Sequence, residues 1–174
     1  GSSITVVDLW RLTSVETMSV PEGPQTLATV AGDGTNGVPW LAVGTRQPDQ
    51  MTFRPGARCF RDAEQVPDGA PELSSLCVGR DVENDELPLP GRPSTSDAGA
   101  AGDFVYVGYK DRPFISVIVP PERDDVLARQ GISCRGSRSA APCEVDRIGV
   151  TYGCSDGIDS DGDGAADQQD LQCY

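Results

Sequence analysis

The feature that most limits how this chain can fold is an aspartate-rich segment enclosed by Cys154 and Cys173. Counted from Asp159 as position 1, aspartates stand at positions 1, 3, 5, 9 and 12, and a glycine stands at position 6. This is the spacing of an EF-hand-type loop, in which alternating oxygen ligands on a tightly curled backbone converge on one ion. The spacing predicts a calcium loop in which the carbonyl of Ala165 supplies the oxygen at position 7 and Asp170 closes the shell.

The flanks of this loop differ from those of a calcium sensor. Position 12 is Asp170 rather than a glutamate, which shortens the bidentate reach and lowers the expected affinity. Gly157 precedes the loop and Leu171–Cys173 follows it, so amphipathic helices are not expected on either side. The segment is therefore interpreted as a structural clasp rather than as a moving helix–loop–helix. The alternative, a solvated acidic tail, does not explain the spaced glycines or the enclosing cysteines.

The complete pattern over residues 154–173, C-x-D-G-x-D-x-D-G-D-G-x-x-D-x-x-D-x-x-C, resembles the short aspartate-rich motifs of secreted proteins of myxobacteria and their relatives. It is also similar to a thrombospondin type 3 repeat, where D-x-D-x-D-G-x-x-D-x-x-D precedes a cysteine. In proteins with these motifs the module is structural, not regulatory. The resemblance implies a bound Ca²⁺ held by Asp159, Asp161, Asp163, Asp167 and Asp170, with Asp156 as an outer ligand or a ligand of a second ion.

The cysteines of the whole chain indicate its compartment. There are six, and no Cys-x-x-Cys pair occurs, which is typical of disulfides rather than of a metal or redox site. Three disulfides indicate an extracytoplasmic protein, whether secreted, on the cell surface or periplasmic, whereas the alternative is six reduced thiols in the cytosol. Pairing of sequence neighbours is predicted, because each pair would enclose a stretch rich in Gly, Pro and Asp: Cys59–Cys77, Cys134–Cys143 and Cys154–Cys173.

The charge of the chain is concentrated in the predicted calcium loop. The net charge is −13, and six aspartates lie between Asp156 and Asp170, so the remainder carries −7 (−13 + 6). Such a chain is not expected to bind nucleic acid or an anionic membrane surface. It contains no apolar run long enough to insert into a membrane as a helix.

Histidine is absent from the chain. Histidine is the commonest general base, the usual partner of a nucleophilic serine or cysteine, and the commonest zinc ligand. Its absence argues against an enzyme, and no catalytic residues and no organic cofactor are predicted.

Most of the remaining chain has the pattern of β-strands. An Asn-Gly pair and the segment Lys110–Pro113 each lie between two apolar runs and predict hairpin turns. A helical pattern is found over Asp124–Gln130, after two prolines and with an aspartate available as N-cap. The predicted strands are Ile4–Trp10, Thr26–Ala31, Val38–Thr45, Phe104–Tyr109, Phe114–Val119 and Val145–Tyr152.

These elements predict an all-β, hairpin-rich domain over residues 1–152 and a small disulfide-closed calcium loop over 153–174. Within the domain, residues 54–80 and 81–103 are expected to be long loops, because they are rich in Pro, Gly, Ser and acidic residues. A β-sandwich and a partial β-propeller are both compatible with this pattern.

The phrase FVYVGYKDRPFISVIVP, together with ITVVDL near the start, resembles the strands of bacterial surface β-propellers of the YVTN type. The resemblance implies two or three incomplete blades, and closed propellers have about four to eight. The favoured function is a secreted or cell-surface structural protein that binds calcium and assembles with another chain or with copies of itself. The alternative is a fragment of a larger extracellular propeller-type enzyme, such as a hydrolase.

Overall fold

The computed structural model describes residues 2–31, 38–70, 72–79, 84–99, 102–132, 134 and 141–149. Its elements in chain order are β1 Ser2–Asp8, β2 Thr13–Val20, β3 Glu22–Val30, β4 Trp40–Gln47, β5 Asp49–Pro55, β6 Arg58–Cys59, a 3₁₀ turn Ala63–Gln65, β7 Glu72–Ser74, β8 Cys77–Val78, β9 Asp85–Pro88, β10 Pro93–Ala98, β11 Val105–Tyr109, β12 Phe114–Val119, α1 Asp124–Gln130 and β13 Cys143–Gly149.

Two four-stranded antiparallel sheets form the body of the molecule. The first sheet has the order β3-β4-β5-β9 and the second has the order β10-β11-β12-β13. Strands β3 and β10 are in contact, and one buried cluster draws side chains from both sheets. The cluster consists of Ala28, Val30, Trp40, Ala42, Met51 and Phe53 from the first sheet and Val105, Val107, Tyr109 and Ile118 from the second.

The strand pattern of the sequence explains this packing. In β11, Val105, Val107 and Tyr109 are buried while Tyr106 between them is exposed, which is the alternation of a strand with one core face. Strand β4 differs, because six consecutive residues from Trp40 onward are buried on both of its faces. A continuous apolar run of this kind is typical of a strand covered on both sides.

The β1–β2 hairpin forms a separate two-stranded sheet. Its inward side chains include Met18 and Val20, both buried, and β1 contacts β3 of the first sheet. The hairpin therefore lies beside the main body. The all-β prediction is confirmed, and the two sheets are antiparallel, as the sheets of a sandwich and of a propeller fragment both are.

The stretch expected to be a loop over residues 54–80 contains a small sheet of order β6-β8-β7. Cys59 and Cys77 are directly opposite each other in its register, and a disulfide joins them with their Cα atoms 4.0 Å apart. Val38, Phe60 and Val78 form a second buried cluster beside it. Because the covalent link replaces a large apolar face, two- and three-residue strands suffice here, and strands that short leave no periodic signal in the sequence.

The stretch expected to be a loop over residues 81–103 also contains strands. Strand β9 pairs with β5, and β10 pairs with β11 while packing on β3. The sequence of β10, PSTSDA, is mostly polar, and Pro93 is its one buried residue. The strand therefore lacks the apolar alternation by which strands are recognised in a sequence. The strand is held by backbone pairing to its neighbour, a property that side-chain patterns do not report.

The predicted helix Asp124–Gln130 is confirmed, but its predicted aspartate cap is wrong. Arg123 occupies the N-cap position without a side-chain capping bond. Its guanidinium instead pairs with Asp125 at 2.9 Å and with Asp103 at 2.5 Å, and it donates to the carbonyl of Gly102. These bonds fix the start of the helix to the turn before β11, and the bond to Asp125, followed by that to Asp103, raises the pKa of Arg123.

Candidate functional site

All of the predicted calcium ligands lie outside the described residues, and so does the predicted Cys154–Cys173 pair. The described chain reaches Gly149, five residues before Cys154. The structure therefore shows the strand that leads to the predicted calcium loop. The ligands concerned are Asp159, Asp161, Asp163, the carbonyl of Ala165, Asp167 and Asp170, with the outer candidate Asp156.

Strand β13, which precedes the loop, is anchored at its start and along its length. Cys143, its first residue, is disulfide-bonded to Cys134, with the two Cα atoms 5.9 Å apart. Its register on β12 runs from Val119 opposite Cys143 to Phe114 opposite Gly149. The predicted clasp thus follows an edge strand that is held by one disulfide and by pairing to β12, with one register shift between Val117 and Ile118.

A hydrogen-bonded cluster fixes the middle of β13. The Tyr109 hydroxyl donates to Ser116 Oγ at 2.7 Å, and Ser116 Oγ donates to Glu144 Oε1 at 2.5 Å. Arg147 donates a hydrogen bond to each carboxylate oxygen of Glu144, from Nε to Oε1 at 2.9 Å and from Nη2 to Oε2 at 2.8 Å. The Arg147 guanidinium also lies 4.8 Å from the ring centre of Phe114.

The electrostatics of this cluster favour an ionised Glu144 and a protonated Tyr109. The bonds from Arg147, followed by that from Ser116, hold the pKa of Glu144 below its ordinary value despite partial burial. A carboxylate with a lowered pKa is a weak base, so it does not activate the Ser116 hydroxyl at neutral pH. Burial raises the pKa of Tyr109, so its phenol stays protonated and remains a donor.

A second anchored carboxylate lies at the tip of the β1–β2 hairpin. Asp8 is buried, and its Oδ1 accepts bonds from the backbone N–H groups of Trp10 at 2.9 Å and Arg11 at 3.3 Å. Its other oxygen is paired with the Arg11 guanidinium. These bonds, the Arg11 side chain first, hold the pKa of Asp8 below its ordinary value.

Asp8 also lies beside the Cys59–Cys77 disulfide, with its Oδ2 3.9 Å from Cys77 Sγ. Within the described part of the chain, these three side chains are the ones whose metal-type ligand atoms cluster, all within 4.8 Å of one another. Metals bind cysteine as the thiolate, and both sulfurs are committed to the disulfide. The cluster is therefore a structural contact rather than a metal site.

Arg11 links the hairpin tip to the small sheet. Its Nη2 donates to the carbonyls of Phe60 at 3.2 Å and Arg61 at 3.1 Å. The neighbouring side chains of Leu9, Trp10 and Leu12 are 80%, 66% and 80% exposed. These three side chains are called the apolar turn below.

Sequence reasoning did not single out the apolar turn. The strand prediction Ile4–Trp10 absorbed Leu9 and Trp10 as the end of a strand, whereas β1 ends at Asp8. The available signal was Asp8 followed by Leu-Trp-Arg-Leu, because an aspartate accepting bonds from the next backbone amides starts a turn.

No protein-family model, no curated protein and no solved structure matches this chain. Among the described helices, none is long and apolar enough to cross a membrane.

Proposed function

We propose that this chain is an extracytoplasmic, calcium-binding structural protein that works by assembling with other chains or with copies of itself. The observation that carries the proposal is the register of five aspartates and one glycine between Cys154 and Cys173. Oxygen ligands in this register suit Ca²⁺. A solvated acidic segment, in contrast, does not require its aspartates and glycine at fixed spacings.

The cysteines support the oxidising compartment. The four cysteines in the described residues lie in two pairs at disulfide distance, Cys59–Cys77 and Cys134–Cys143. Disulfides persist in secreted, periplasmic and cell-surface proteins and are rare in the cytosol. Calcium sites of extracellular modules bind with Kd on the order of 10⁻⁴–10⁻³ M, which suits an environment of constant high calcium.

Electrostatics supports a bound cation in the loop. Six aspartates lie between Asp156 and Asp170, and no lysine or arginine occurs in residues 151–174. Carboxylates this close repel one another, and a divalent ion would neutralise part of their charge. A disulfide closing a loop of this length contributes about 3 kcal/mol in the chain-entropy model, so ion and disulfide would stabilise the clasp together.

Calcium titration by calorimetry tests the proposal, with thermal unfolding measured in calcium and in EDTA. We expect saturable binding and a Tm that falls in EDTA, with faster proteolysis near Ala165. Asp161→Asn with Asp163→Asn is expected to remove the binding heat and the EDTA effect. Asp62→Asn with Asp68→Asn, two exposed aspartates far from the loop in sequence, is the charge-matched control. Identical Tm and proteolysis in both buffers would contradict the calcium site.

The alternative function, a piece of a larger extracellular propeller enzyme, is favoured by two four-stranded antiparallel sheets that follow one another along the chain. Propellers are built of such sheets placed side by side. Hydrolysis of chromogenic glycosides and esters distinguishes the two functions. Turnover by the purified chain that a single carboxylate substitution abolishes would support the enzyme, and calcium binding without turnover would support the structural protein.

A further inference from the structure

A small pocket lies between the β1–β2 hairpin, the first main sheet and the small disulfide-bonded sheet. It has a volume of about 210 Å³, which is the volume of about seven water molecules at about 30 Å³ each. A pocket of this size suits a small metabolite rather than a macromolecule. Its lining includes Glu16 and Met18 of β2, Arg54 and Pro55 of β5, Leu73 of β7, and Asn84.

The pocket lies where strand pairing ends. The pairing of β5 with β9 stops at Phe53, which lies opposite Asp85, so Arg54 is the first residue of β5 beyond it. On the other side of the strand, Arg54 is paired with Leu41 of β4. Strands β2 and β7, which are in contact with each other, supply further wall. A central pair of strands therefore fixes the Arg54 backbone beside the pocket, and no neighbouring strand fills the space next to it.

Arg54 is a partly buried cation without a partner of its own. Of the arginines in the described residues, only Arg54 and Arg123 are not exposed. Arg123 pairs with Asp103 and Asp125, whereas the Nε of Arg54 is buried and has no hydrogen-bond partner. Buried charges and buried polar atoms are paired in nearly all native structures. An arginine in a pocket without an acceptor therefore indicates that a ligand supplies the acceptor.

Two further polar side chains line the same pocket. Glu16 is partly buried and Asn84 is exposed. Met18 and Leu73 provide an apolar part of the wall. A few polar groups that converge on a small pocket with some apolar wall are typical of a site that orients a ligand.

The three polar groups together match an α-amino acid. The guanidinium of Arg54 offers a planar fork of N–H donors, which fits a carboxylate. The carboxylate of Glu16 suits an ammonium group, and the amide of Asn84 can donate or accept a hydrogen bond. The net charge of −13 repels a free anion, whereas a zwitterion has no net charge and approaches without this repulsion.

We propose that this pocket binds a small α-amino acid with an apolar side chain. Its carboxylate pairs with Arg54, its ammonium group pairs with Glu16, and its side chain packs against Met18 and Leu73. The site is independent of the proposed calcium loop, since none of its residues belongs to that loop. Binding is expected to be weak, because a ligand of this size makes few contacts.

Titration of the natural chain with L-leucine, followed by ligand-observed NMR, tests the site, and the other common amino acids follow. Two analogues of the same shape are the matched probes: isocaproate, which lacks the ammonium group, and isoamylamine, which lacks the carboxylate. We expect saturable binding of leucine and about tenfold or more weaker binding of each analogue, because each leaves one charged group of the pocket unpaired. Glycine is expected to bind more weakly than leucine, since it makes no contact with the apolar wall.

Substitutions assign each charge of the ligand to its partner. Arg54→Gln and Glu16→Gln are each expected to weaken leucine binding about tenfold or more. Arg54→Gln should leave the binding of isoamylamine unchanged, and Glu16→Gln should leave that of isocaproate unchanged. Arg46→Gln and Glu22→Gln, at exposed residues outside the pocket, are the charge-matched controls and are expected to bind leucine normally.

A spectroscopic signal locates the bound ligand. The Nε–H resonance of Arg54, identified by its absence from Arg54→Gln, should move as leucine is added to the natural chain. Circular dichroism checks that each variant is folded. The comparison of leucine with its two analogues uses the natural chain alone, so it tests the site even if a variant does not fold.

Three results would overturn the site: no saturable binding of any common amino acid, equal losses of leucine binding in the control variants, or binding of isocaproate as tight as that of leucine. The second would place the ligand elsewhere on the chain. The third would indicate a simple anion site at Arg54, in which Glu16 takes no part.

Discussion

Two regions of the molecule use the same arrangement, a carboxylate paired with the arginine three residues later and placed beside a disulfide. At the hairpin tip, Asp8 pairs with Arg11 near Cys59–Cys77. On the last described strand, Glu144 pairs with Arg147 and follows Cys143 directly. The first pair is called the turn anchor and the second the strand anchor.

The anchors differ in burial and therefore in what they do. The Asp8 side chain is 2% exposed, whereas the Glu144 side chain is 25% exposed. Asp8 satisfies two backbone amides of a turn that would otherwise have no regular partner, and Glu144 lies on a strand already paired to β12. A buried carboxylate that organises a turn is harder to replace than one that reinforces an existing ladder.

The largest expected effect comes from removing the disulfide beside each anchor. The sequence separations are 18 for Cys59–Cys77 and 9 for Cys134–Cys143. Chain entropy alone gives losses of about 3 and about 2.5 kcal/mol, which barely distinguish the two. Burial does not distinguish them either, since Cys77 and Cys143 are both buried, at 1% and 5% exposed. We expect the double Cys→Ser change at Cys59 and Cys77 to cost more, because Cys77 lies against the buried carboxylate of Asp8.

Urea unfolding of the two double variants measures this difference. The entropy calculation supplies the control, because it predicts similar midpoints for both variants if the contact with Asp8 contributes nothing. Equal midpoints would show that the surroundings of the disulfides do not distinguish the two regions.

The next effect comes from neutralising each carboxylate without changing its shape. Glu144→Gln is expected to lower the free energy of unfolding by about 1 kcal/mol, as for the loss of a charge-assisted hydrogen bond in a partly exposed place. Asp8→Asn is expected to lower Tm further, because the amide cannot pair with Arg11 as the carboxylate does. Asp68→Asn, at an exposed position, serves as the control. A larger loss of stability in Glu144→Gln than in Asp8→Asn would show that the partly exposed carboxylate contributes more than the buried one.

Acid should reveal both anchors through their pKa values. Arg11 lowers the pKa of Asp8 and Arg147 lowers the pKa of Glu144. A carboxylate whose pKa is lower in the folded state stabilises the fold fully above its unfolded pKa, which is about 4. That contribution is lost as the pH falls through the folded value.

Thermal unfolding measured between neutral pH and about pH 2 should therefore show a Tm that falls below about pH 4. The fall should be shallower in Asp8→Asn and in Glu144→Gln, each of which removes one titrating group. If Tm falls with pH equally steeply in the natural chain and in both variants, then neither carboxyl group has a lower pKa in the folded than in the unfolded chain.

The strands that could be predicted are those whose side chains report their surroundings. The hairpin of β11 and β12 was evident because apolar residues alternate and Lys110–Pro113 separates the two runs. Strand β2, TSVETMSV, was missed because only Met18 and Val20 of it are buried. The β10 strand was missed for a related reason, since backbone pairing rather than burial holds it.

Of the candidate sites, one could likewise be predicted from the sequence and one could not. The calcium register is local in sequence and could be predicted from the spacing of aspartates alone. The turn anchor could not, because the backbone carbonyls that hold Arg11 are 49 and 50 residues away from it. Contacts between distant residues depend on the fold, whereas ligand spacing within one loop does not.

The smallest effect concerns the backbone of the apolar turn and has the opposite sign. Leu12 has a φ of 55°, and glycine adopts this region without steric cost. Leu12→Gly is therefore expected to raise the free energy of unfolding by up to about 1 kcal/mol, the relief of strain being partly offset by the greater entropy of glycine in the unfolded chain. Leu9→Gly removes the same side chain at a residue without positive φ and is expected to destabilise. If both variants lose stability equally in urea, the strain is not stored at Leu12, and the turn anchor holds the hairpin tip without distorting it.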